Sequence, residues 1–248
     1  MHATHQRAHR MSGFQKLRFY ATAPHPCSYL EDREATTLFV EPDAALTEAD
    51  LVKLTETGFR RSGRYIYRPH CAACNACISV RVPVDAFHPK RRQRRTIQKN
   101  QDIVFKAQAP VLDEIHYALY DRYIRARHAD GDMFPPSVSQ YQSFLTAGSS
   151  HAFFLEAYLE GQLIAVTHFD EIPGNGLSAI YTFFDPDPEL APRSLGRMMV
   201  LQLIEVTKEL GLPYLYLGYW IRDSIKMAYK TEYRPIEMLI NSRWIRAD

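Results

Sequence analysis

His151-Ala152-Phe153-Phe154-Leu155-Glu156-Ala157-Tyr158-Leu159 alternates like a strand, Glu160-Gly161 turns the chain, and Leu163-Ile164-Ala165-Val166-Thr167-His168-Phe169 returns as its hairpin partner. Pro173-Gly174-Asn175-Gly176 turns again into Leu177 to Phe184, and Asp185-Pro186 stops that strand. A helix then runs from about Ser194 to Leu210, ended by Gly211-Leu212-Pro213, and Tyr214 to Tyr219 is the next strand. This stretch therefore imposes the order strand, strand, strand, helix, strand on the C-terminal half.

Upstream, Leu112, Ile115, Leu119, Tyr123 and Ile124 recur at helical spacing, and Ser137 to Leu145 predicts another helix with Ser137 or Ser139 as its cap. Further back, Thr37 to Val40 reads as a short strand. Thr47, with Asp50 three residues on, caps a helix whose stripe is Leu46, Leu51 and Leu54 and whose end is Gly58. Arg64 to Arg68 and Ile78 to Val82 alternate as strands on either side of a cysteine cluster. From Phe87 to Phe105 the chain carries Lys90, Arg91, Arg92, Arg94, Arg95 and Lys99 against Asp102 alone, and the domain boundary is expected near there. The reading is α+β: a disordered leader over residues 1–15, a smaller cysteine-bearing domain with the basic run over 16–105, and a larger domain over 106–248. His2, His5 and His9 fall in the leader, which receives no function.

The chain has 248 residues, 46% of them apolar and 23% charged, ordinary globular values that argue against a fibrous or disordered protein. Its formal net charge is only +2, so affinity for nucleic acid must come from local clustering of Lys and Arg. No run of about 18 apolar residues exists, and the N-terminus lacks a secretory core, so a cytoplasmic protein without a membrane partner is expected. Neither G-x-x-x-x-G-K-[ST] nor G-x-G-x-x-G occurs, so an activated acyl donor must arrive preformed.

Arg193-Ser194-Leu195-Gly196-Arg197-Met198 opens a helix, where free backbone N–H groups can hold an anion or oxyanion. It resembles the R-x-x-G-x-G/A turn of the N-acetyltransferase (GNAT) superfamily, with Met198 where a small residue lets a pyrophosphate approach. That substitution counts against coenzyme A, and an ordinary helix start is the plainer reading. All four cysteines, Cys27, Cys71, Cys74 and Cys77, suit either a tetrahedral zinc site or an iron-sulfur cluster, since cytosolic thiols stay reduced. Small buried thiols are the alternative. The basic run suits phosphate neutralisation along a tRNA acceptor stem, against the plainer alternative of a solvated surface.

Tyr120-Asp121-Arg122-Tyr123, Ser178 to Pro186, Leu217-Gly218-Tyr219-Trp220-Ile221, Lys226 to Lys230 and Tyr233-Arg234-Pro235 resemble the aminoacyl-tRNA to protein transferases. So do Pro26-Cys27-Ser28-Tyr29-Leu30 and Tyr67 to Cys77, which are most similar to that family's bacterial branch. The resemblance covers nearly the whole chain. It implies transfer of leucine from leucyl-tRNA to acceptor proteins beginning with Asp or Glu, creating a destabilising N-terminus that proteolysis reads. The eukaryotic branch transfers arginine and carries C-x-x-C with an adjacent Cys pair. This chain has one Cys and then C-x-x-C-x-x-C, so the family's iron-sulfur binding is not carried over.

Because the donor ester is activated and an α-amine of pKa about 7.7 to 8 is roughly a tenth to a sixth neutral at pH 7, positioning should dominate and no cofactor is required for the chemistry. Arg68 and Arg81 are candidates for gripping the acceptor carboxylate. Tyr219, Lys226, Tyr229 and Lys230 are candidates for binding the terminal adenosine and its phosphates or polarising the ester. His168 or Asp170 is a candidate proton acceptor. Arg193 and Gly196 join the basic run as candidate tRNA contacts. Each has a structural alternative: packed aromatics, solvated lysines, a core histidine. Two other functions compete: a coenzyme A-dependent N-acetyltransferase and a non-enzymatic, metal-stabilised RNA-binding module.

Overall fold

A computed structural model describes residues 17–131 and 133–248; the leader histidines lie outside the described residues. In chain order, β1 (Phe19–Ala21), β2 (His25–Pro26), β3 (Glu34–Ala35) and β4 (Thr37–Val40) precede α1 (Glu48–Glu56). Then come β5 (Arg60–Ser62), β6 (Tyr65–Pro69), β7 (Ile78–Pro83), α2 (Arg91–Lys99), β8 (Val104–Gln108), α3 (Glu114–Arg127) and α4 (Val138–Tyr141). The remainder is β9 (Ala152–Leu159), β10 (Gln162–Ile172), β11 (Gly176–Phe184), α5 (Leu195–Glu209), β12 (Tyr214–Trp220), β13 (Ile236–Ile240) and β14 (Arg243–Ala247).

The architecture is mixed α+β. Eight strands form one sheet in the order β14-β13-β7-β12-β11-β10-β9-β8, mixed because β11 and β12 run parallel while the other pairs are antiparallel. A four-stranded antiparallel sheet, β1-β4-β6-β5, packs α1 over Phe19, Leu38, Val40, Leu54 and Phe59. The helix begins where the sequence places it: Thr47 Oγ1 accepts from Asp50 N at 3.2 Å, and Asp50 Oδ2 accepts from Thr47 N at 3.1 Å.

The large sheet is covered on both faces, which is why β10 is buried almost without a break. Leu155, Ala165 and Leu177 meet Met199, Leu203 and Ile204 of α5 on one side. Phe154, Val166 and Phe183 meet Leu119, Tyr120 and Ile124 of α3 on the other. β7, from within residues 16–105, and β8, which straddles residue 105, both pair into this sheet, so the composition change near 105 does not coincide with a boundary of the sheet.

The basic run is helical. Gln93, Thr96 and Asn100 turn inward at 3–4 spacing, with Asn100 Nδ2 donating to Arg193 O at 2.9 Å and Gln93 Nε2 to Glu232 O at 3.2 Å. Lys90, Arg91, Arg92, Arg94, Arg95 and Lys99 are consequently exposed.

Candidate active site

β11 and β12 pair only from Gly176–Ser178 against Tyr214–Tyr216. Beyond those residues β11 stays with β10 and β12 with β7, so the sheet opens into a wedge. Arg60 at the start of β5 enters that wedge, its Nη2 donating to Ala179 O. Gly218, at φ +81° beside a register shift in β12, makes room: a Cβ there would run into the Arg60 guanidinium.

A cavity of about 790 Å³ opens from the wedge. Its apolar wall includes Tyr123, Met133, Phe144, Phe184 and Val200; Arg92, Arg127, Arg197 and Lys226 add positive charge against Asp185, Asp187 and Glu232; Leu195 and Gly196, in the first turn of α5, also line it. Ser194, at φ +54°, turns the chain into α5 so that the helix starts at this cavity. A second cavity, of about 460 Å³, adjoins the four-stranded sheet, and Tyr29 and Tyr219 line both.

The sequence candidates divide between these cavities and the core. Lys230 lines the wedge cavity yet is buried, its Nζ donating to Tyr219 O at 2.6 Å. Burial, then the nearby Arg60 charge, pushes its pKa down to about 7. Tyr229 and Lys226 line the same cavity nearer solvent, and Lys226 stands 3.7 Å from Asp130. The Tyr219 hydroxyl donates to Gly58 O at 2.8 Å, joining the large sheet to the end of α1, and burial holds its pKa far above the usual phenol value. It is thus tied into structure rather than free to move a proton.

His168 and Asp170 line neither cavity. Arg61 grips Asp170 with Nε at 2.8 Å and Nη2 at 2.6 Å, and the same Nη2 lies 2.9 Å from His168 Nε2. Burial and then the Arg61 charge lower the His168 pKa to about 3, so the ring is neutral and held as a hydrogen-bonded core residue. The proton-acceptor role expected of this pair does not fit their burial.

Arg81 is also engaged: Nε donates to Glu237 Oε2 at 2.7 Å, Nη1 to Tyr216 Oη at 3.1 Å, and its guanidinium lies 3.5 Å from the Tyr214 ring centroid and 4.2 Å from that of Trp244. It lines neither cavity, and the acceptor contact expected of it is replaced by a junction of β7, β12, β13 and β14. Arg68 lines the smaller cavity, donates to Thr57 O at 3.0 Å and lies 5.0 Å over Phe59. Arg193 clamps Asp102 at 2.7 and 2.8 Å, fixing the start of α5 to the turn after α2, and does not line the wedge cavity. Gly196 does.

Cys27, Cys71, Cys74 and Cys77 all line the smaller cavity. Burial, then the neighbouring Cys71, Cys27 and Cys74, pushes the Cys77 thiol up to about 11. Among the described residues, no three His, Cys, Asp or Glu side chains are grouped so as to hold a metal ion. The donor set is thus gathered but not drawn into a ligating arrangement.

Arg60 and Arg61 escaped the sequence reading because they sit in a stretch, Gly58-Phe59-Arg60-Arg61-Ser62-Gly63, read only as the exit from a helix. The signal it did carry was an arginine pair on a short strand with no acidic residue between Glu56 and Asp85.

Residues 25–95 match the family described as arginine-tRNA-protein transferase, N terminus, and residues 115–240 match its C terminus. The chain is 50% identical over 235 residues to the aspartate/glutamate leucyltransferase of Pseudomonas paraeruginosa, covering 95% of this chain and 99% of that one. It is 52% identical over 230 residues to the enzyme of the same name from Chromohalobacter salexigens, covering 93% of each. Among solved structures, L-PGS from Bacillus licheniformis overlays at a TM-score of 0.46 and 13% identity, over 69% of this chain and 58% of that one, a likeness too slight to carry an argument. With both halves matched and the relation to these enzymes running nearly end to end, the chain belongs to the arginine-tRNA-protein transferase family.

Proposed function

We infer that the chain is an aminoacyltransferase that moves leucine from leucyl-tRNA to the N-terminal Asp or Glu of acceptor proteins. One observation carries this reading: half the residues are identical, over 95% of the chain, to curated aspartate/glutamate leucyltransferases. The wedge cavity has the chemistry such a transfer needs. Its apolar wall suits a leucyl side chain, and its basic residues, with the exposed face of α2 carrying Arg92, suit tRNA phosphates. In the reaction, the acceptor's neutral α-amine attacks the ester carbonyl, an amide bond forms, the ester C–O bond breaks, and the ribose hydroxyl leaves with a proton. Leu195 and Gly196, in the first turn of α5, line the cavity, and their backbone amides are the helix-start donors proposed for the oxyanion.

The parting of β11 and β12 and the helix start at the cavity support an N-acetyltransferase-like fold for residues 106–248. Transfer from leucyl-tRNA accounts for the basic face of α2, which a coenzyme A-dependent acetyltransferase leaves without a role. An RNA-binding module without enzymatic function leaves the wedge cavity unused. The new N-terminal leucine marks the acceptor for N-degron proteolysis, and the reaction belongs in the cytoplasm, where charged tRNA is found. No described helix is long and apolar enough to cross a membrane. Zinc or an iron-sulfur cluster held by the four cysteines would have a structural or regulatory role, because the ester is already activated.

The test supplies radiolabelled leucyl-tRNA, arginyl-tRNA or acetyl-coenzyme A with peptides starting with Asp, Glu or Ala. Leucyl label moving to the Asp and Glu peptides is the expected result. Preference for the arginyl or acetyl label, or equal use of the Ala peptide, contradicts the assignment.

A further inference from the structure

We propose that Arg60, reaching from β5 into the wedge between β11 and β12, reads the carboxylate of the acceptor's first side chain. The inference rests on the leucyl-transfer reading and names the group that selects Asp and Glu. Arg61, Arg81 and Arg193 each meet a carboxylate, from Asp170, Glu237 and Asp102. Arg60 meets none among the described residues; its one hydrogen bond goes from Nη2 to Ala179 O, which leaves donors on Nε and Nη1. Arg68 and Arg127 also meet no acid among the described residues, but Arg68 lines the cysteine cavity and Arg127, at the end of α3, is exposed, whereas Arg60 is half-buried in the wedge cavity where transfer is placed.

No carboxylate among the described residues pairs with Arg60. Burial and then Arg60 drive Lys230, in the same wall, towards its neutral form, and the other groups that feel the Arg60 charge are the hydroxyls of Tyr219, Tyr229 and Tyr29. An anion entering here gains a guanidinium already fixed in place. The donor does not bring that anion so deep: its terminal units, leucyl and adenosine, carry no negative charge, and its nearest phosphate lies on the far side of the terminal ribose. The acceptor does, because its carboxylate stands one or two methylenes from the carbon that bears the attacking amine. At other parts of the cavity wall Arg127 remains for phosphates, while Arg92 and Arg197 share Glu232 at 3.8 and 3.4 Å. Gly218 belongs to the same device, since any side chain there would push Arg60 out of the wedge.

The test compares wild type, Arg60→Lys and Gly218→Ala in leucyl transfer to peptides identical except for Asp or Asn at position one, with melting temperature and leucyl-tRNA binding measured beside it. Arg60→Lys should lose about ten- to a hundred-fold in kcat/KM for the Asp peptide while leaving the Asn peptide and tRNA binding nearly unchanged, because an ammonium cannot replace the guanidinium's parallel bonds. Gly218→Ala keeps the arginine but displaces it, and should lose the same preference. A folded Arg60→Lys that still prefers Asp over Asn as wild type does overturns the proposal, as does a fall in tRNA binding that matches the loss of activity. If wild type moves leucine to no peptide, the leucyl-transfer reading itself fails, and this inference falls with it.

Discussion

At His168, burial and the Arg61 guanidinium act in the same direction, and the result is a ring that stays neutral down to a pH of about 3. Its ordinary value is 6.5, so between these limits the unfolded chain binds the extra proton and the folded chain does not. Stability therefore rises with pH across that window and is lost as pH falls through it, by up to about 5 kcal/mol from this one group. His168→Gln, which keeps an acceptor for Arg61, should flatten the pH dependence of urea unfolding between pH 3 and 6.5; an unchanged slope would place the titration elsewhere. The sequence marked His168 and Asp170 by residue type alone. It could not reveal that Arg61, 109 residues before Asp170, closes over both. Cys77 makes the same point for metal. Spacing showed three cysteines together, and the fold brings Cys27 to their cavity. If the four cysteines close on a metal, anaerobically purified protein carries zinc or iron with sulfide, with lower occupancy after each Cys→Ser change. Metal-free wild type with full activity would remove the ligand role.

Among the elements, the strands and helix from Ala152 to Trp220 were legible because they obey simple periods, and the turns at Gly161 and Gly211 adopt the positive φ their sequence invites. Helix α2 was not legible, for a physical reason: its buried face is polar, made of Gln93, Thr96 and Asn100, so no hydrophobic stripe exists to find. The hairpin β13–β14 went unread because its turn, Asn241-Ser242, takes positive φ without a glycine. The helical form of the basic run sharpens its expected behaviour, since one exposed face now carries the charges. Replacing Arg91, Arg92, Arg94 and Arg95 with Ser should weaken tRNA binding and flatten its salt dependence by up to about one log-log unit for each phosphate left unneutralised. The inward-facing residues remain intact, so melting temperature should hardly move. A wild-type salt slope in the folded variant would take α2 out of the tRNA interface.

Over the whole molecule, function depends on joining what the sequence divides. The composition changes near residue 105, yet the eight-stranded sheet takes β7 from before it, β8 across it and β9 to β14 from after it. Tyr219 ties that sheet to Gly58, and Arg60 brings the four-stranded sheet's charge into the wedge. Such long-range contacts leave no local signature, which is why the acceptor candidates at Arg68 and Arg81 were chosen by their nearness to the cysteines instead. Family resemblance, by contrast, was legible throughout, because its motifs are contiguous in sequence, residues 26–30 and 67–77 falling mainly at the smaller cavity and residues 178–186 and 226–230 at the wedge cavity.

In this transfer an acceptor's own α-amine, beside an acidic side chain, takes leucine directly from tRNA. Single-turnover transfer from enzyme preloaded with leucyl-tRNA tests it most directly, using an Asp-initiated peptide, the same peptide with its α-amine acetylated, and its Asn counterpart. A leucyl-Asp amide should form at the free N-terminus of the first, none on the blocked peptide, and little on the third. Label on the blocked peptide, or equal transfer to Asp and Asn, would contradict it.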